Sequence, residues 1–307
     1  MKKQLIAAAT VLAVGLIAGC GGSGSNSSMN QADSTMINQS SSTMMTQSSV
    51  GKNVITGAVA DGYLVNATVF LDRNRDYQLN QGEVSTTTKA DGSYQLIIDT
   101  TDLDSNGKLK YPVVALAIAG TTYDLDDPTH TPLKSSYVMS MHAVSVTPSV
   151  SGEVTGSVNN FISPISTQIR EMMETGKYDN IQNAMADLRI KLGMPTETNL
   201  LQDYMATKHV DMHTAAQNIA NVMGTQMAQV MGSGGTTPSV HVDRYRGMVG
   251  AIFSNMSSIR GANAPTKMPE LANMMTPALD RIPIPKGGMP YRNMSSAFRG
   301  GMGMMGR

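Results

Sequence analysis

The sequence predicts an α+β, multidomain protein: an N-terminal β-sandwich over 54–150, a small helical bundle over 158–262, and a disordered linker and tail on either side. Three observations carry this. Short runs of Val, Ile, Thr and Tyr, broken by Gly, Asp and Pro, fill 54–150 and have the spacing of a sandwich. After about Val158 the apolar period becomes helical. Residues 20–53 are rich in Ser, Gly, Asn, Gln and Thr and lack the apolar content to offset ordering entropy, while 263–307 are rich in Met, Pro and Gly, with prolines that break any long helix.

The strands are expected at Val54–Val59, Ala67–Leu71, Val84–Lys89, Ser93–Ile98, Val113–Ala119 and Tyr137–Val146. Asp91-Gly92 reads as a hairpin turn between two of them, because Asp-Gly tolerates positive φ. A first helical stripe runs Phe161, Ile165, Ile169, Met172 and Met173, with Ser163 as N-cap and Pro164 at the first helical position. Ile181, Met185, Leu188 and Leu192 form a second stripe, ended by Gly193 and Pro195. Ala216, Ile219, Met223, Met227 and Val230 form a third, which Asp211 is placed to cap. Tyr245, Met248, Val249, Ile252, Met256 and Ile259 form a fourth, and a short helical turn is expected over Leu200–Met205. Short connections between amphipathic helices imply a bundle. The prolines after Gly261 leave room for one helical turn near Leu271.

Residues 1–19 read as an export signal: Lys2 and Lys3 lead an uncharged apolar run from Leu5 to Ala18. That run is shorter than the ~20 residues needed to span a bilayer. Ile17-Ala18-Gly19-Cys20 resembles the lipobox of bacterial lipoproteins, and Cys20 is the chain's one cysteine. The resemblance implies fatty acylation (palmitate or a related chain) at Cys20, with cleavage before it. The alternative is an ordinary signal with an incidental cysteine. Each buried acyl methylene contributes ~0.8 kcal/mol, so several chains make a lasting anchor. Gly21, where an Asp would imply inner-membrane retention, points to the outer membrane, with residues 20–53 as a flexible tether.

The chain holds 23 basic and 23 acidic side chains; removing 1–19 removes two lysines and no acid, for a net charge of −2. This balance lacks the basic excess of a nucleic-acid binder. One cysteine permits no internal disulfide.

The sharpest chemical pattern is Asp72 to Glu83. An EF-hand-type loop places oxygen ligands at positions 1, 3, 5, 7, 9 and 12. Here those are Asp72, Asn74, Asp76, the carbonyl of Gln78, Asn80 and Glu83. Calcium, a hard cation taking six to eight oxygens, is the metal this set suits. Leu79 at position 8 is expected to pin the loop to its core, and Arg73 and Arg75 to face solvent. Position 6, usually Gly, is Tyr77, so the sharp turn there costs backbone energy or is distorted. The alternative is a polar loop without metal. Sites of this kind have Kd of ~0.1–1 mM, so millimolar calcium contributes only ~0.4–1.4 kcal/mol: enough to order a loop, too little for a switch. Asp102 to Gly107 matches half of such a loop, but position 12 is Val113, and a surface turn is expected.

Thr56-Gly57-Ala58-Val59-Ala60-Asp61-Gly62, Ala67 to Asp72 and Thr88 to Leu96 resemble a carboxypeptidase-regulatory-like, or transthyretin-like, β-sandwich. The loop after the Val-Phe-Leu-Asp strand is similar to calcium insertions in repeat modules of bacterial surface adhesins. The resemblance implies an accessory module without peptidase activity. Phe161 to Thr167, with Leu200 to Tyr204, is similar to helical segments of other bacterial surface lipoproteins.

No catalytic constellation is legible: GxSxG, Walker, CxxC and HExxH patterns are absent, and His209 and His213 read as exposed residues near a helix start. The expected role is non-enzymatic, a lipid-anchored binding or scaffolding protein of the cell envelope, with adhesion as one form of it. Its expected partners are the membrane, through the anchor, and an envelope or surface protein or polysaccharide. The alternative is soft-metal binding. The chain has 26 methionines, eight of them from Met268 to Met305, and thioethers hold copper(I) and silver ions.

Overall fold

Eleven strands and five α-helices occur among the residues that the computed structural model describes, 52–142, 160–232 and 239–260. The strands are β1 (Lys52–Val59), β2 (Leu64–Val65), β3 (Thr68–Leu71), β4 (Ser85–Thr87), β5 (Ser93–Asp99), β6 (Val113–Ala117), β7 (Tyr123–Asp124), β8 (Tyr137–Met141), β9 (Asn160–Ile162), β10 (Met231–Gly232) and β11 (Ser239–Val240). The helices are α1 (Pro164–Glu174), α2 (Ile181–Leu192), α3 (Val210–Val230), α4 (Val242–Ser254) and α5 (Met256–Arg260). The architecture is mixed α+β.

One sheet has the order β5-β1-β9 and another the order β4-β3-β6-β8; β2-β7 and β10-β11 form two-stranded ribbons. The four-stranded sheet is antiparallel throughout, with Thr68 opposite Thr87 on one side and Leu116 on the other. Strand β5 alternates buried Tyr94, Leu96 and Ile98 with exposed Gln95 and Ile97, the signature of a one-sided strand. Strands β6 and β8 are buried along their length.

Asp91-Gly92 does make a tight turn, with Gly92 at φ 75° and its N–H donating to the Lys89 carbonyl at 3.0 Å. The flanking strands nevertheless do not pair as a hairpin: β4 joins β3, and β5 joins β1. The turn is a corner where the chain passes from one sheet to the other. Phe161 also departs from its expected helical place. It lies in β9, which pairs in parallel with β1 (Ala58 opposite Phe161), and the helix begins three residues later. At Gly57 the backbones of β1 and β9 come so close that a Cβ would collide with Asn160.

The helix signals largely hold. The Ser163 side chain accepts from the Ser166 N–H and the Ser166 hydroxyl accepts from the Ser163 N–H, a reciprocal cap, with Pro164 opening α1. Asn180 caps α2, and Gly193, at φ 61°, ends it in the left-handed conformation. His209, not Asp211, is the N-cap of α3. Asn255 interrupts the fourth stripe, giving α4 and α5, and Leu200–Met205 forms turns without a helix.

Helix α1 packs against β8, α2, α3 and α4, and its residues from Pro164 to Met172 are buried on every face. It is stitched to β8 by polar contacts: the Ser140 N–H donates to the Thr167 hydroxyl, and the Ser166 hydroxyl donates to the Ser140 carbonyl, both at 2.9 Å. Tyr245 of α4 donates to the Val138 carbonyl at 2.9 Å. The apolar cluster runs unbroken from Ile55 through Leu116 and Ile169 to Ile259. The regions 54–150 and 158–262 therefore share a core.

Candidate metal centre

The loop from Asp72 to Glu83 leaves β3 and re-enters at β4. Its neck is closed by the Leu71 N–H donating to the Val84 carbonyl at 3.1 Å, and the Asp72 N–H donates to the Pro112 carbonyl at 3.0 Å. Within it, Asp72 is fully buried and its two carboxylate oxygens accept from the Asp76 and Tyr77 N–H groups at 3.0 and 3.1 Å. Burial pushes its carboxyl up to about 6, against the pull of the Arg170 guanidinium. These two bonds turn the chain back on itself.

Arg75 and Tyr77 have φ of 63° and 62°, so positions 4 and 6 take left-handed conformations. Tyr77 pays for this conformation, ~1–2 kcal/mol for an L-residue, with its side chain. That side chain is wholly buried, and burial of a large apolar body contributes ~2–3 kcal/mol. The ring lies 4.3 Å from that of Tyr245, with the Arg170 guanidinium 4.5 Å above its centre. The hydroxyl donates to Glu171 Oε1 at 2.6 Å and lies 3.3 Å from Arg246 Nε. Glu171 is itself within 3.3 Å of Arg170 and 3.5 Å of Arg246. The middle of the loop is thus plugged into a buried charged cluster on α1 and α4. Leu79, expected as the pin, is partly buried and packs against the core.

Three of the predicted ligand positions, Asn74, Gln78 and Asn80, gather around the Asp76 carboxylate. Asn74 Nδ2 donates to Asp76 Oδ2 at 2.9 Å. Asn80 Nδ2 lies 3.0 and 3.1 Å from the two Asp76 oxygens and 3.1 Å from the Gln78 carbonyl. Three oxygens therefore converge on one polarised amide group, as they would on a cation. Turning the Asn80 amide over would add its oxygen to the set. Glu83 closes the loop: its oxygens accept from the Arg73 N–H at 2.7 Å and the Asn80 N–H at 2.9 Å. The carboxylates of Asp72, Asp76 and Glu83 do not meet at one point, and among the described residues no three His, Cys, Asp or Glu side chains gather as a metal cluster.

Arg73 and Arg75 do not simply face solvent. Arg73 forms a two-pronged pair with Asp102, at 3.0 and 2.9 Å, and donates to the Gly82 carbonyl at 2.6 Å. Arg75 reaches Glu174 of α1 at 3.4 Å. Asp104 to Gly107 make the surface turn expected, with Asp104 accepting from the Asn106 and Lys108 N–H groups, but Asp102 is buried at the end of a 3-10 helix, Thr100–Asp102. The sequence signal that could have exposed the plug is the misfit itself: a tyrosine where the loop wants glycine, and an Arg-Glu pair inside an apolar stripe.

His209 accepts from the Met212 N–H, and His213 bonds Asp126 at 2.6 Å. Cys20, the signal, the Met-rich tail and the expected tether up to residue 51 lie outside the described residues; the last two residues of that tether, Lys52 and Asn53, instead open strand β1. Among the described residues no helix is long and apolar enough to cross a membrane. Comparison with known proteins finds no matching family model, no matching curated protein and no matching solved structure.

Proposed function

We propose that this chain is a lipid-anchored, outer-membrane protein of the cell envelope that binds or scaffolds without catalysis, and that calcium in the loop 72–83 fastens its strand and helix regions together. The lipobox-like Ile17 to Cys20 supports the anchor. The two main sheets, linked by the corner at Asp91-Gly92, support reading the strands as a transthyretin-like sandwich.

The observation that carries the calcium reading is the loop's internal geometry. Asp72 accepts from positions 5 and 6, position 6 is left-handed, and Asp76, Gln78 and Asn80 turn oxygens or an amide to one point. Calcium would be held by Asp72, Asn74, Asp76, the Gln78 carbonyl, Asn80 and Glu83. It would screen the carboxylates of that set.

Calorimetric titration of the mature chain should give one calcium site with Kd of ~0.1–1 mM. Glu83→Gln should abolish that heat. A mature chain that takes up no calcium at millimolar concentration rules the loop reading out. Mass spectrometry of the amino terminus tests the anchor: diacyl or triacyl mass on Cys20 is expected, and a free thiol there defeats it.

A further inference from the structure

Away from the loop, a cavity of about 350 Å³ opens between α3 and the segment that joins β7 to β8. Asp61, Asp124 and Asp127 line it, against one ammonium group, that of Lys134. Leu133 and Ala220 give it apolar wall.

Asp61 is only 8% exposed. Its Oδ2 accepts from the Tyr137 hydroxyl at 2.8 Å, but its Oδ1 is buried without any hydrogen-bond partner. A buried carboxylate oxygen left unpaired is costly, and a charged donor is the group that satisfies it best. Burial, with Asp124 beside it, pushes the Asp61 carboxyl up to about 7, and burial also raises that of Asp124. The neighbouring Asp126 is already engaged, bonding His213 at 2.6 Å and Gln217 at 2.9 Å. Gly62 makes the crowding of acids possible, since a Cβ there would strike the carboxylates of both Asp124 and Asp126.

We propose that this cavity binds a small organic amine, whose ammonium group faces the carboxyl groups of Asp61 and Asp124 while its hydrocarbon part rests on Leu133 and Ala220. The volume far exceeds that of a bare ion, and among the described residues no metal-ligating cluster forms here. The acid excess disfavours an anion, and the apolar wall suits methylenes.

The site shares no ligand residue with the loop 72–83, so it stands or falls separately from calcium. The test is a calorimetric titration of the mature chain with butylamine at mildly alkaline pH, beside butanol and butyrate. Saturable binding of butylamine alone is expected, with Asp61→Asn weakening it roughly tenfold or more. Asp61→Asn keeps an acceptor for Tyr137, and its melting curve reports whether the fold survives. Absence of saturable butylamine binding overturns the proposal. So does equal binding of butanol, or a folded Asp61→Asn variant that binds like the parent.

Discussion

Asp61 shows how one side chain can work against the fold that holds it. Its folded pKa of about 7 lies above the ordinary carboxylate value. As pH rises from about 4, the unfolded chain gives up this proton first, so stability falls between about pH 4 and pH 7 and then levels off. Asp61→Asn removes that cost while keeping the Tyr137 bond. We expect it to raise stability at pH 8, by on the order of 2–4 kcal/mol, and to have little effect at pH 4. Thermal melts across that range check both halves. Ser163 is the opposite case, a buried cap whose hydroxyl holds the first turn of α1. Ser163→Ala should cost ~1–2 kcal/mol in denaturant unfolding. The cap was legible because Ser-Pro before an apolar stripe is a local signal. Asp61 was not, since an acid before a glycine reads as a turn, and its burial depends on Tyr137 and Tyr204, which are remote in sequence.

Between elements, the decisive contact is Tyr77 with α1 and α4. Removing its hydroxyl leaves Glu171 without its shortest donor in a buried charged group. Tyr77→Phe should therefore destabilise by ~1–3 kcal/mol, while calcium uptake, which uses other atoms of the loop, stays near the parent's. Chemical unfolding and calcium titration of the same variant separate the two effects; loss of calcium binding with stability unchanged would contradict this account. The bounds of α2 were readable because Asn180, Gly193 and the spacing between them are all local. The partners of β4 and β5 were not readable. The turn between them is clear in the sequence, but the sheet each strand joins is decided by β1 and β3. Phe161 was misread for the same reason. Its spacing from Ile165 fits a helix, yet its burial comes from parallel pairing with β1, a hundred residues earlier. Arg73 and Arg75 looked like solvent-facing loop residues because their acids, Asp102 and Glu174, are distant in the chain.

Taken together, strands and helices bury one continuous apolar cluster. Heating should produce one cooperative transition, seen at the same temperature by backbone and tyrosine signals. Two resolved transitions would show that the strand and helix regions melt apart. Millimolar calcium should move that transition upward by ~1–5 °C, in keeping with ~0.4–1.4 kcal/mol for a unit of this size. A twelve-residue loop that met its host only at its two ends could be moved whole. Here the sixth residue is a peg seated in another part of the fold, so excision would leave a socket behind. A synthetic peptide of the same twelve residues would lack the lodging that holds its backbone in shape. On the proposed calcium reading, the same twelve residues grafted into a foreign scaffold should take up calcium far more weakly than the parent chain.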